Sequence, residues 1–385
     1  YYNIKLYLLA VKIKNMKNLF YTVLLSILTL NLNAQTTLTE VTPHPNDSRV
    51  ITTGVPFLLI ASDARAASMG DMGVATSVDT YSQHWNPSKY AFSESKSGFG
   101  LSYTPYLSKL VNDISLGNVT YYNRLNERSA FAVSFKYFSL GEIEIIQDEF
   151  SEALIEKPNE MTMDVSYSLR LADQFSMGVS LRYLRSDLKI QAVDETAQAA
   201  SSYAVDISGY YQGEEQSYGD VDGRWRGGFI IQNLGPKIKY DESGRETFLP
   251  TNFKLGAGFD FILDSYNKVS VTAEVAKLLV PTPPLLGTYT EFNDNNENGV
   301  FDEGDEQVGE PYIDIIDGMS TDVDFLSGVF QSFSDAPGGF SEELKEFTWA
   351  LGAEYLYDDS FALRLSLIHI SEPTRPERIG GAGVG

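Results

Sequence analysis

Cysteine is absent from the 385 residues, which removes disulfides, thiolate metal sites and cysteine nucleophiles together. Histidine is scarce. His44, His84 and His369 are too scattered to suggest a metal cluster or a catalytic triad, and they read as isolated polar residues. Basic residues are few: 29 Lys plus Arg stand against 52 Asp plus Glu, a net charge of -23. That balance argues against a nucleic-acid partner, because phosphate binding needs a basic face. No nucleophile or oxyanion arrangement accompanies any pair of carboxylates, so the chain does not read as an enzyme. What the sequence has in excess is aromatic, with 23 Tyr and 22 Phe, high for a soluble domain.

The two ends read differently from the rest. "MKNLFYTVLLSILTLNLNAQ" starts at Met16, with Lys17 as a positive n-region, Leu19 to Leu32 as an apolar h-region and Ala34 before a cut at Gln35. Residues 16–34 are therefore expected to be a secretory signal peptide, too short and wrongly flanked for a membrane span. Residues 1–15 look like upstream frame translated by mistake. No Cys follows the h-region, so this is not a lipoprotein signal. At the other end "LIHISEPTRPERIGGAGVG", residues 367–385, gives up alternation for Pro and Gly. It looks like a translated adapter joined to a truncated gene, and is expected to be irregular.

Between the ends, segments of about ten residues alternate apolar and polar side chains with the period of a strand. Met163, Val165, Tyr167, Leu169 and Leu171 share one face, and Thr162, Asp164, Ser166, Ser168 and Arg170 the other. A soluble sandwich also alternates. Strand length, aromatics near strand ends and export without a helical span favour a transmembrane antiparallel β-barrel. The pattern predicts about eleven strands, near 98–106, 112–123, 129–141, 161–172, 174–188, 201–213, 223–234, 251–264, 268–279, 345–357 and 360–367. Outer-membrane barrels usually have an even number, so the sheet is expected to be incomplete, with strands missing from the C-terminal end. In the second strand the apolar phase slips at Gly117, where a β-bulge is expected. Short turns alternate with longer polar loops, except that 213–222 falls on the short-turn side and is too long for it.

The longest connection, residues 281–344, carries fifteen acidic residues and no basic one. Within it "DNNENGVFDEGD" has the spacing of a calcium loop: Asp294, Asn296 and Asn298, a Gly299 turn, the Val300 carbonyl, Asp302 and Asp305. Position twelve is Asp instead of the bidentate Glu and no helices flank it, so a merely solvated acidic loop stays open as the alternative. No other cofactor is expected. "SDAPGGFSEEL" reads as a turn into a short helix, with Ser341 as N-cap and Glu342 and Glu343 in its first turn.

Three stretches carry a resemblance. "GVATSVDTYSQHWNPSKYAF" looks like the amino-terminal hatch of the FadL-type outer-membrane barrels, with Asn86-Pro87-Ser88 where that family has Asn-Pro-Ala. "GGFIIQNLGPKIKY" and "FSDAPGGFSEEL" resemble the PorV branch, outer-membrane shuttle proteins of the type IX secretion system. The similarity runs from about Thr36 to Ser366. It implies a barrel of about 14 strands over residues 97–366, a hatch over 35–96 that includes Trp85, Asn86 and Pro87, and an extracellular loop 281–344. It also implies a multi-pass protein of a Gram-negative outer membrane. The implied partners are the translocon channel, the C-terminal signal domains of cargo, a sortase-like attachment complex and outer-membrane lipid. On this reading Asp335, Ala336, Pro337, Gly338, Gly339, Phe340, Glu342 and Glu343 form a partner-binding loop, with a purely structural loop as the alternative. The other FadL-type role, transport of hydrophobic small molecules, is the rival function.

A plug gives the irregular glycine-rich segment a purpose that a free tail would not, since Trp85, Tyr90 and Phe92 are large apolar groups. Inward polar groups such as Asp164, Arg170, Arg182, Asp206 and Glu274 would find partners on it.

Overall fold

The computed structural model describes residues 37–44, 49–107, 109, 113–146, 154–189, 197–219, 221–241, 244, 246–296, 298–303 and 305–369. The expected signal segment 16–34, the residues before it and 370–385 lie outside the described residues. Two compact units divide the chain: residues 37–44 with 287–314, and residues 49–286 with 315–369.

The larger unit is an antiparallel sheet of eleven long strands: β1 Ser97–Pro105, β2 Ile114–Arg124, β3 Ser129–Leu140, β4 Asn159–Ala172, β5 Phe175–Asp187, β6 Ala200–Gln212, β7 Val221–Leu234, β8 Asn252–Ile262, β9 Asn267–Leu278, β10 Phe347–Tyr357 and β11 Phe361–His369. Each pairs with its neighbours in sequence, so the topology is a simple up-and-down meander. Among the described residues β1 and β11 are the two edges and the sheet is not closed. Among the described residues no helix is long and apolar enough to cross a membrane.

Burial runs inside out. On β4 Val165 is 57% exposed, whereas Asp164 beside it is 3% exposed. Leu181, Leu255, Leu351 and Leu365 likewise face outward, and Ser166, Ser180, Asp260 and Thr272 are buried. Exposed rows of Leu, Val and Phe would be penalised in water by about 25 cal/mol per Å². They suit lipid, and the polar inner face suits a filled barrel lumen. The alternation seen in the sequence therefore belongs to a membrane barrel and not to a sandwich.

Two sequence expectations are overturned, the bulge at Gly117 and the irregularity of 367–369, and one, the overlong connection 213–222, is refined. No bulge occurs in β2: its register is continuous from Ile114↔Leu140 to Arg124↔Ala130 and from Ser97↔Asn123 to Pro105↔Ser115. Its phase slips because Leu116 points inward, into a cluster with Val55, Phe57, Leu58, Phe138, Leu184 and Leu249 that closes the long-loop end of the lumen. The overlong connection 213–222 shortens because Gln216–Tyr218 folds back onto Val221–Gly223. Leu367, Ile368 and His369 are not irregular: they extend β11 against Leu351, Ala350 and Trp349, whose backbone groups would otherwise lack partners on that side.

Connections 125–128, 173–174, 263–266 and 358–360 are short and lie at one end of the strands. Pro105, Leu140, Asp187, Leu234 and Leu278 end their strands at the other side, where the longer connections begin. In the smaller unit Thr37–Pro43 pairs with Gly287–Asn293, so the described hatch comprises residues 49–96.

Candidate functional site

The hatch is short helical turns joined by irregular chain: a 3-10 turn Pro56–Leu59, α1 Ala64–Ser68, α2 Ser82–Trp85 and a 3-10 turn Pro87–Phe92. Asp63 organises its first half. One carboxylate oxygen caps α1 by accepting from the Ala66 N–H (2.9 Å), and the other accepts from Trp85 Nε1 (2.7 Å). Trp85 lies flat on Gly73, where a Cβ would sit 2.3 Å from the indole, so only glycine fits. Asn86 bridges hatch and wall. Its Nδ2 donates to the Val74 carbonyl (2.9 Å) and to the Gly209 carbonyl of β6 (3.0 Å), while its Oδ1 accepts from Ser88 N–H. Pro87 starts the turn that follows, with no N–H to waste. The sequence-predicted trio Trp85, Asn86 and Pro87 is thus brought together and is fully interior.

Charged side chains of the wall grip this plug. Glu274 accepts from the N–H groups of Gly73 and Val74, both at 3.0 Å. Arg226 donates to the Ala75 carbonyl (2.8 Å) and to Asp260 (2.7 Å). Arg65 of α1 joins Asp79 (2.9 Å) and Glu354 of β10 (2.8 Å). Arg170 donates to the Ala91 carbonyl and lies over the Phe92 ring. Of the inward groups named from sequence, Glu274 and Arg170 do meet the hatch. Asp164, Arg182 and Asp206 instead satisfy one another: Arg182 spans both carboxylates and also bonds the Asn233 side chain.

Asn233 belongs to "IIQNLGP", and the structure explains that motif. At φ +60° it sits where the β6–β7 register shifts, its N–H donating to Asp206 (2.7 Å) and its Nδ2 to the Pro250 carbonyl (2.9 Å). Sequence reasoning missed Asp63, Arg65, Arg226 and Glu354, and also Lys89, whose buried Nζ donates to the Gly73 carbonyl (2.7 Å). Charged residues on the polar face of a spanning strand were the signal for Arg226 and Glu354.

The acidic turn is closed by its own carboxylates. Gly339 adopts φ +63° and precedes a short helix, α4 Phe340–Glu343. Gly339, and not Ser341, is the N-cap residue; Ser341 lies inside the helix, its hydroxyl donating to the Gly338 carbonyl. Glu343 reaches back to the Ala336 N–H (2.9 Å) and Glu342 to the Gly338 N–H (2.8 Å). Asp335 accepts from the Thr282 N–H (3.0 Å). Lys277 at the end of β9 pairs with Glu343 (3.1 Å) and Glu346 (2.5 Å), and Arg49 with Glu342 (3.0 Å). With the acids turned inward, Phe340 stands 78% exposed. Ala336 is buried and Pro337 packs near Gly318.

Burial pushes the Asp335 carboxyl up to about 6, with Glu343 and Glu346 adding to the rise and the Thr282 N–H opposing it. A raised carboxyl favours the fold fully below its unfolded value of 3.8, and that contribution is lost as pH climbs through about 6. Amide exchange across 336–343 should therefore show about tenfold less protection at pH 8 than at pH 5, after correction for intrinsic rates. Asp335→Asn should flatten the profile; a flat wild-type profile would contradict the assignment.

In the smaller unit, the loop 294–305 holds itself closed. Asp294 accepts from the N–H groups of Asn298 (3.2 Å) and Gly299 (2.7 Å), and Gly299 has φ +79°. Asn296 and Asn298 both donate to Asp302, and Asp305 accepts from Asn295 and Asp302 N–H. Val300 turns its N–H to the Asn298 side chain. Among the described residues no group of three or more His, Asp or Glu side chains is arranged to hold a metal.

Two solved structures are similar to parts of this chain, each at 10% identity and a TM-score of 0.37. One is the Ralstonia pickettii toluene transporter TbuX, matched over 79% of this chain and 85% of that one. The other is the CymD monoaromatic hydrocarbon channel, matched over 82% and 85%. No curated protein matches the sequence. The family model described as type IX secretion system protein PorV matches residues 43–285, more than half of the chain. With that match and the inside-out, hatch-filled sheet, the chain belongs to the PorV family, an outer-membrane β-barrel component of type IX secretion.

Proposed function

We propose that the protein works in a Gram-negative outer membrane as a shuttle. It takes cargo leaving the translocon channel by the C-terminal signal domain and delivers it to a sortase-like attachment complex at the cell surface. The observation that carries this reading is the hatch. A lumen filled by residues 49–96 and locked to the wall through Asn86, Glu274, Arg226 and Glu354 is no conduit for a protein. The long-loop end is left as the working surface, and there the turn 335–343 offers Phe340 on a fixed base.

A cavity of about 310 Å³ between hatch and wall favours the second reading, transport of a hydrophobic small molecule. Leu58, Met72, Trp85 and Leu278 line it together with Lys254 and Glu274. Deleting the gene separates the two. The shuttle reading expects exported proteins to stop in the periplasm with growth on long-chain fatty acids intact, and the transport reading expects the reverse.

For the loop 294–305 we propose calcium, held by Asp294, Asn296, Asn298, the Val300 carbonyl, Asp302 and Asp305. Oxygen donors two residues apart around a glycine turn are what a hard cation requires. Chelation should increase proteolysis within 281–344 and leave the strands protected, and alanine at 294 and 302 should reproduce this without chelator. Calorimetry without a binding isotherm at millimolar calcium would end the idea, since extracellular modules bind at about 0.1–1 mM.

A further inference from the structure

We infer that the helix α3, Phe325–Gln331, presents a second docking surface, one that fits a basic protein partner. Leu326 and Phe330, four residues apart, share one face of the helix, and Phe333 follows in the turn after it. They are 51%, 75% and 50% exposed, the reverse of what a helix in water does with large apolar side chains.

The exposure does not come from a loosely held helix. Gly328, on the opposite side, lies against the Phe248 ring, where a Cβ would approach to 2.6 Å. Ser332 is buried, and its hydroxyl donates to the Val329 carbonyl. Asp324 caps the helix by accepting from the Leu326 and Ser327 N–H groups, both at 3.1 Å, and Gln331 ties its far end to the Ser320 carbonyl (2.9 Å). A fixed ridge of exposed Leu and Phe is built to be covered.

Charge decides the occupant. A second copy of a chain with net charge -23 is repelled. An anionic lipid surface is repelled too, because Asp317, Asp322 and Asp324 of residues 315–333 are exposed and that stretch has no base. Lys237 and Lys239 line a cleft with Asp322 and Glu246, and Lys237 and Glu246 line the adjoining one with Asp322 and Asp324, so two bases stand against three acids there and the balance stays negative. The complement is a protein surface with an apolar groove edged by lysine or arginine. This inference rests on the shuttle reading, and within it the groove belongs to the signal domain of an exported protein.

The test uses the full-length barrel in detergent and a purified, fluorescently labelled signal domain. The double variant Phe330→Ser, Phe333→Ser should weaken binding at least about tenfold, the scale of a central interface residue. Asp322→Lys, an exposed change outside the capping residue Asp324, should weaken binding less and reduce its salt dependence. Both variants should keep the unheated gel mobility of the wild type. Equal affinity of the wild type, the double variant and Asp322→Lys would overturn the inference and leave the shuttle reading standing. Absence of binding by the wild type would overturn both. Flotation of the wild type with anionic vesicles, lost in the double variant, would assign the ridge to lipid instead and overturn the inference.

Discussion

Replacing Arg182 by Ala should destabilise the barrel by about 3–5 kcal/mol, the loss expected when one partner of a buried ionic cluster is removed. Arg182 is buried between Asp164 and Asp206, with Asn233 completing its shell. Without the guanidinium, two carboxylates face each other in a space that water does not reach. The change should also loosen the chain at Asn233, whose strained φ is held by Asp206 and the Pro250 carbonyl. Urea titration of the full-length protein followed by circular dichroism measures the loss. The triple replacement Asp164→Asn, Arg182→Met, Asp206→Asn should recover most of it, because it removes charge and partner together. A loss below about 1 kcal/mol for Arg182→Ala would show that the cluster is not buried as described.

Gly228→Leu should lift the hatch. A Cβ at 228 would lie 2.4 Å from the Val74 carbonyl oxygen and 3.0 Å from Asn86 Nδ2, both fixed parts of the plug. Backbone cannot yield there cheaply, so the plug gives way. Arg65 should become a trypsin site, and the purified barrel should conduct ions in a planar bilayer where the wild type does not. Gly227→Leu is the matched control: the neighbouring position faces outward, and a Cβ there meets nothing nearer than 3.9 Å. Wild-type conductance from Gly228→Leu would mean that the hatch does not seal the lumen.

The strands were legible because the membrane writes them locally. Each apolar row of β4, β5 and β8 is visible within a dozen residues, and the structure moves its boundaries by a residue or two. The hatch was legible through "HWNPS", whose aromatic and Asn-Pro step have no use in a solvated tail. The partners of interior charges were harder, since Arg182 finds Asp206 only through the β5–β6 register, and Glu354 finds Arg65 across 289 positions of sequence. The pairing of residues 37–43 with 287–293 was invisible for the same reason: two segments far apart in sequence meet, and neither carries a pattern that names the other. The phase slip of β2 misled because one inward leucine under the hatch imitates a bulge.

On the proposed function, exported proteins depend on this barrel after they leave the translocon. Fractionating a strain that lacks the gene, with and without a plasmid copy, tests it most directly. Exported proteins should accumulate in the periplasm with their C-terminal domains uncleaved, and the plasmid copy should return them to the cell surface. Normal surface display and processing of those proteins in the deletion strain would contradict the claim.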